Sequence, residues 1–519
     1  MRSMRFSKLL QVRGVRAALL VPAAILSVQA CTDLSETPTS AITPANFYKN
    51  ADEVLGGVAS VYAGLRATMW GYYNISQVST DENIVPTRGT DWFDNGRWLE
   101  IYRQTWQANS GAGLEDISGL WNDLFSGVAR ANVVLGALET TDVPNKPVIV
   151  AEMKTLRAFY YYLLMDMFGG VPLVTNTEVK PREQATRAAI FAFVEKELTE
   201  ARPALPDVWP AASYGRLTKG GVDAMLANMY LNAQVFTGTV TASGITKGPA
   251  KWNEAVTAAD RVLNSGRYTL NPNWKQNFAP TNKTSPENVF VVRHLAQDGL
   301  GLNFVMRMGH YNSFSDSPWN GFATIADTYY AFDNADDRKS VFLVGPQKDL
   351  LTGVPVKDRA GNPLVFTPEI RDPTQAGEGE GARIYKYTVT APGVGGGQPN
   401  DYVYFRLAEM YMVKAEALNE LGQTAAAITL VNQIRARVFT PAKPLSTTLS
   451  QGQLREAIFR ERLFEFVGEA KRRQDMVRAG TYTNARLFKP ATEAYRVVMP
   501  IPQNQIETNP LLKQNPGYR

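Results

Sequence analysis

Cysteine and histidine are the scarcest chemically active residues in this sequence. Its 519 residues hold one cysteine, Cys31, and two histidines, His294 and His310. A single thiol excludes an intrachain disulfide framework, and two histidines leave little for a histidine-based triad or metal centre. After residue 30 no segment is long and apolar enough to span a bilayer as a helix. A concentrated cationic surface is also missing. Lys and Arg number 54 against 49 Asp and Glu, a formal +5, and five of those cations are Arg2, Arg5, Lys8, Arg13 and Arg16. The remainder is close to neutral, which argues against a nucleic-acid partner. No cofactor motif and no metal-ligand spacing is present.

What the sequence does have begins at its N-terminus. The five cations precede an apolar run from Ala17 to Val28, too short for a membrane span and laid out like a secretory signal. The run ends at Ala30-Cys31. This layout predicts a signal peptide over residues 1–30 and lipidation of Cys31; the plainer alternative is an incidental thiol near an ordinary cleavage site. Residues 31–45 are rich in Ser, Thr and Pro and read as a tether.

Beyond the tether, helical periodicity dominates. The spacing predicts one helix from Asp401 to Gly422, with Ala408, Met412, Ala415 and Leu418 along one stripe. Ala408 and Ala415 permit close approach of a second helix, Thr424 to Phe439, whose inner face is Ala427, Ile428, Val431 and Ile434. Ala408 to Pro441 is one tetratricopeptide-sized unit of ~34 residues. Further helices are expected over Ala51–Trp70, Leu120–Glu139, Val148–Phe168, Glu183–Glu200, Gly221–Phe236, Trp252–Leu263 and Leu454–Arg478. The expected fold is mainly α: tetratricopeptide-like helix pairs forming one scaffold, with long irregular insertions on one face. Those insertions are Gly71–Asn109, rich in aromatics, and about residues 271–400, within which Gly377–Gly397 reads as a mobile loop.

The last hundred residues resemble the SusD/RagB family of surface lipoproteins. Arg406-Leu-Ala-Glu409-Met-Tyr411 with Ala415-Glu416-Ala417 is similar to its signature helix, and Asn432-Gln-Ile434-Arg435 to its Asn-x-x-Arg. Glu461-Arg462, Glu465, Glu469, Arg472, Asp475 and Arg478 match its charged late helix, and Pro500-Ile501-Pro502 through Gln514-Asn515-Pro516-Gly517-Tyr518 its terminus. Ala470 stands where that family has Gly, and Arg473 where it has an aromatic. The charged residues read as an ion-pair network fixing helix register, with Arg406 and Glu409 as helix neighbours and Glu465 and Glu469 facing Arg462, Arg472 or Arg473. The resemblance divides the mature chain into an N-terminal helical part, 46–240, and a C-terminal part, 241–519, with signature helices over 401–480.

The resemblance implies a binding lipoprotein without catalytic residues. It would be anchored at the outer membrane facing outward, capture a glycan or other large nutrient, and pass it to a TonB-dependent transporter of the SusC type. Sugar rings stack an apolar C–H face on flat aromatics while their hydroxyls need fixed polar partners. Two stretches suit this: Asp91-Trp92-Phe93-Asp94-Asn95-Gly96-Arg97-Trp98, and His310-Tyr311-Asn312 through Trp319-Asn320. In that family, loops in these regions supply the aromatic platform. Trp92, Trp98, Tyr311 and Trp319 are the candidates for stacking, and Asn95, Arg97 and Asn320 for hydroxyls, against the alternative that each Trp is core. Two other readings stay open. An exported glycoside hydrolase would set two carboxylates across a cleft, about 5–10 Å apart. A helical-repeat scaffold lipoprotein would use the helix pairs for envelope assembly.

Overall fold

A computed structural model of the protein describes residues 48–109 and 111–518. The expected signal peptide, the expected lipidation site Cys31 and the expected tether lie outside the described residues. Nearly every long element is a helix: α1 (Ala51–Gly64), α2 (Gly71–Val78), α3 (Arg97–Arg103), α4 (Leu114–Thr140), α5 (Lys146–Phe168), α6 (Arg187–Ala201), α7 (Lys219–Leu231), α8 (Trp252–Leu263), α9 (Leu407–Glu420), α10 (Thr424–Ala436), α11 (Gln451–Phe466) and α12 (Arg472–Ala479). Among the described residues no helix is long and apolar enough to cross a membrane.

The helices pack as successive partners: α4 on α5, α5 on α6, α7 on α8, α8 on α9, α9 on α10 and α11. Sequence explains the close fits. In α8, Ala255, Ala258, Ala259 and Val262 make a narrow buried stripe, and Ala408 and Ala415 of α9 are fully enclosed where α10 crosses. Starts are set by polar caps. Thr186 and Thr218 accept amide hydrogens at the heads of α6 and α7, and Ser450 with Gln453 forms a capping box on α11. One hydrophobic core runs from Val54 to Tyr518 through these helices. A second, smaller core gathers Val78, Ile84, Trp98, Tyr102, Met306, Phe314, Phe322 and Ile370 beneath the irregular segments.

The structure departs from the periodicity reading in four places. Tyr402–Arg406 is a strand, not helix; it pairs antiparallel with Asn288–Val292, and α9 starts only at Leu407. The run Tyr-Val-Tyr-Phe carries β-formers on both faces, and the strand is buried on both. The late charged helix is two helices, α11 and α12, interrupted where Gly468 and Ala470 adopt left-handed backbone (φ 78° and 59°). Gly71–Asn109 is not wholly irregular, since α2 and α3 lie within it. Gly377–Gly397 is packed rather than mobile at its centre: Ala382, Arg383, Lys386 and Tyr387 are all buried.

The expected ion-pair network is present, but its partners are distant in sequence. Arg406 meets Glu287, Glu465 and Glu469; Arg437 meets Glu287 and Glu465; Arg338 meets Asp336, Glu461 and Glu465. Lys386 also reaches Glu469. Arg462 instead pairs with Asp475, Arg472 with Asp81, and Arg473 with Asp166. Burial alone would raise the Glu465 carboxyl, but Arg437, Arg406 and Arg338 outweigh it and hold it far below the usual carboxylate range. The network therefore ties the irregular 287–386 region to the helices. Glu409 lies in the same interior and pairs with Lys471 at 3.0 Å, not with Arg406.

Candidate functional site

The two aromatic stretches singled out by sequence meet in space. The Trp92 indole N–H donates to the Trp319 carbonyl at 2.6 Å, and the Tyr311 hydroxyl donates to Asp91. Both stretches have unusual backbone. Trp92, Asp94 and Asn95 have φ of 62°, 40° and 54°, and Ser317 and Asn320 both 52°. Left-handed non-glycine residues cost free energy and cluster where a surface must be shaped for a purpose. Gly96 continues the first run at φ 85°. Gly321 is required for a different reason: a Cβ there would lie 2.3 Å from the Trp92 ring. Trp92 therefore rests directly on backbone, with its edges against Trp98 and Phe322 at centroid distances of 5.5 and 5.8 Å.

The short helix Phe304–Met308 carries the second stretch. Its carbonyls accept from Trp319 (Met306 O, 2.6 Å), and from Gly321 and Phe322 (Arg307 O, 2.8 and 2.9 Å). Two buried guanidiniums brace the turn behind it. Arg88 donates to the carbonyls of Asn320, Gly377 and Glu380, while Arg383 donates to Asn320 Oδ1 and to the carbonyls of Glu378, Glu380 and Gly381. Burial lowers both, Arg88 to about 10.

The candidates then separate by exposure. Trp92, Tyr311 and Trp319 are half-buried, Asn95 is exposed, and Phe93, adjacent to Trp92, is 55% exposed. Trp98 is 1% exposed and Asn320 is fully enclosed. Trp98 gives its indole N–H to Asp94, and Asn320 gives its amide N–H to the Glu378 carbonyl. The expectation that these two touch ligand gives way to a supporting role behind the face. Arg97 is committed as well: it forms a two-pronged pair with Asp116 of α4 and lies over the Trp98 ring at 5.0 Å. Among the described residues no group of acidic, histidine or cysteine side chains is arranged to hold a metal ion.

Sequence reasoning missed a charged cluster at the edge of this face. Arg359 lies over the Tyr311 ring at 4.2 Å and pairs with Asp91 at 3.1 Å and with Glu378. His310 reaches Glu378 at 2.9 Å. Burial would raise the Glu378 carboxyl, but hydrogen bonds from Arg359 and His310 bring it down to about 2. Burial lowers His310, which leaves it neutral in neutral solution. A general acid needs a carboxyl that holds its proton near neutral pH, and Glu378 is the opposite. Arg359 is 268 residues from Asp91 in sequence, and no local pattern links them.

Comparison with known proteins places the chain. The model described as "SusD family" matches residues 255–518, and one described as "Starch-binding associating with outer membrane" matches residues 45–231. The chain belongs to the SusD family. The SusD-like protein P25 of Formosa agariphila is 24% identical over 95% of this chain and 98% of its own length. The starch-binding protein SusD of Bacteroides thetaiotaomicron is 24% identical over 71% of this chain and 72% of its own. Solved SusD-like structures share the fold. A laminarin-binding SusD-like protein superposes with a TM-score of 0.72 at 24% identity, covering 91% of this chain and all (100%) of that one. Surface glycan-binding protein A from Bacteroides thetaiotaomicron, in complex with laminarihexaose, gives 0.71 at 20% identity over 90% and 99%. Of these relatives, three are named for carbohydrate: starch, laminarin and laminarihexaose.

Proposed function

We propose that this SusD-family protein is a surface lipoprotein that captures a glycan on the face formed by Trp92, Phe93, Asn95, Tyr311 and Trp319, and delivers it to a TonB-dependent transporter. The observation that carries the reading is the junction of the two aromatic stretches. Rings that would be costly to expose are held half-open on strained backbone over a dedicated core, which suits stacking against the apolar face of a sugar. The relatives that bind starch, laminarin and laminarihexaose support the ligand class. Anchoring through Cys31, outward orientation and a SusC-type partner belong to the same proposal and rest on the signal-like N-terminus and the family.

The test begins with retention of the purified protein in native gels containing starch, laminarin or other soluble polysaccharides, for wild type and for the double variant Trp92→Ala/Trp319→Ala. The expected outcome is retardation by at least one polysaccharide, lost or reduced at least about tenfold in affinity in the variant, a change worth ~1.4 kcal/mol. Isolation of the lipidated protein from gently solubilised outer membranes is expected to bring down a barrel transporter. A wild type that no polysaccharide retards counts against glycan capture, and recovery without any barrel counts against delivery.

A further inference from the structure

We infer that Trp70 is a second stacking platform, so that the site grips an extended oligosaccharide and not one terminal sugar. This rests on the glycan-capture reading above and adds a residue and a ligand length to it.

Trp70 is the most exposed of the nine tryptophans, with 38% of its surface in solvent. A single exposed apolar side chain is ordinary, but this one is joined through Trp98 to the aromatic face already described. Its edge meets Trp98 at 6.4 Å and 77°, and Trp98 meets Trp92 at 5.5 Å. The two more open rings, Trp70 and Trp92, therefore lie within about 12 Å of each other, both in edge contact with the enclosed Trp98. That separation suits a short run of linked sugar rings.

The ring is also held from behind. The Arg307 guanidinium sits 4.7 Å from the Trp70 centroid and 5.0 Å from that of Phe304. Arg307 is 3% exposed, and among the described residues no carboxylate pairs with it. Its hydrogen bonds go instead to Asn303 Oδ1 at 2.9 Å and Asn74 Oδ1 at 2.5 Å. A buried cation without a counter-ion is costly, and stacking on aromatic faces is one way to offset it. Arg307 belongs to the same short helix whose carbonyls fix Trp319 to Phe322. One element thus contacts both platforms, Trp70 through the Arg307 side chain and Trp92 through the Trp319 carbonyl, and such pre-positioning keeps down the ordering cost of binding.

The experiment measures affinity by calorimetry for an oligosaccharide ladder, from disaccharide to hexasaccharide, cut from the polysaccharide that retards the protein, laminarin being tried first. Wild type, Trp70→Ala, Trp70→Phe and Trp92→Ala are compared. Wild-type affinity is expected to climb with length. Trp70→Ala is expected to lose about tenfold on the longest member and nothing on the shortest, and Trp70→Phe to recover most of that loss. Trp92→Ala is expected to weaken every length. A Trp70→Phe variant that melts as wild type yet loses length dependence as Trp70→Ala does counts against a stacking platform at this position. Trp70→Ala binding every length like wild type overturns the inference while leaving glycan capture standing. A wild type that binds neither the ladder nor any polysaccharide sinks the glycan reading, and the inference with it.

Discussion

Single residues in this chain are placed where ordinary preferences are violated, and each violation has a consequence. Ala470 holds a left-handed backbone (φ 59°) in the break between α11 and α12, the position where the resemblance expects glycine. Its methyl is buried, so the strain of that conformation is set against apolar contact. Glu82 is a sharper case. It is fully enclosed, one oxygen accepts from the Gly468 amide at 3.2 Å, and among the described residues the other has no partner. Burial, then the neighbouring Asp81 charge, pushes its carboxyl up to about 8 from an ordinary 4.5. Between those values the native state keeps a proton that the unfolded state has lost. Stability from this group is fully present below the unfolded value and declines as pH rises toward 8, by up to about 1.4 kcal/mol per pH unit. Glu82→Gln keeps the acceptor for Gly468 and cannot ionise. The variant is expected to match wild type at low pH and to exceed it progressively in Tm as pH rises through the window. Melting curves across that range check it, and a difference that stays constant with pH would remove Glu82 as the cause.

At the scale of elements, the strand pair Asn288–Val292 and Tyr402–Arg406 is where the irregular region joins the helices, and Arg406 is its fastening. Arg406→Met leaves Glu287, Glu465 and Glu469 in the interior with too little positive charge. The expected loss is about 3–5 kcal/mol, the range for breaking a buried pair by removing one partner. Urea denaturation reads it directly, and a loss under ~1 kcal/mol would show that Arg437, Arg338 and Lys386 suffice alone. The helices themselves were legible because their signal is local. Trp252–Leu263 was readable to the residue, α5 and α10 to within a few positions, and α4 except for its first six residues, because a stripe at 3.6-residue spacing needs only its own sequence. The strand was hidden because Tyr402–Phe405 is apolar on both faces and fits a helix continuing into Leu407 equally well. The network's existence was legible but not its partners, since Glu465 answers to Arg338, Arg406 and Arg437 from three other elements. For the site, composition found the two aromatic stretches. It could not tell that Trp98 and Asn320 are enclosed, or that Arg359 and Trp70 complete the face, because those depend on long-range packing.

At the scale of the whole molecule, the two family models divide the chain near its middle, at residues 45–231 and 255–518, but the physical structure is not divided there. The main core draws on both segments, from Val54 to Tyr518. Polar contacts cross the same line. The Trp106 indole N–H donates to the Tyr518 hydroxyl at 2.8 Å, Arg496 donates to the Trp106 carbonyl at 2.7 Å, and Tyr73 donates to the Gly468 carbonyl at 3.1 Å. Ion pairs Arg472–Asp81 (2.8 Å) and Arg473–Asp166 (3.1 Å) do likewise, and the Met499 amide donates to Met167 O at 2.7 Å. A fragment ending near residue 240 would expose the faces of α2 and α5, strip Asp166 of its Arg473 counter-ion while leaving only the Tyr72 hydroxyl on it, and leave the Trp106 indole without its Tyr518 acceptor, a penalty on top of the lost apolar burial. Residues 48–240 and 241–519 expressed separately are therefore expected to lack a cooperative thermal transition and to be rapidly proteolysed. Expressed together, they are expected to associate and regain a single transition, because the complementary faces are extensive and mutually specific. Calorimetry and limited proteolysis distinguish the outcomes. A sharp independent melt of the 48–240 fragment would mean that the helix pairs fold repeat by repeat, as in open solenoids, and that the C-terminal tail merely decorates them. Absence of that melt, with recovery on co-expression, would make the tail a closing element of the scaffold, and the aromatic face a surface that exists only when both halves are in place.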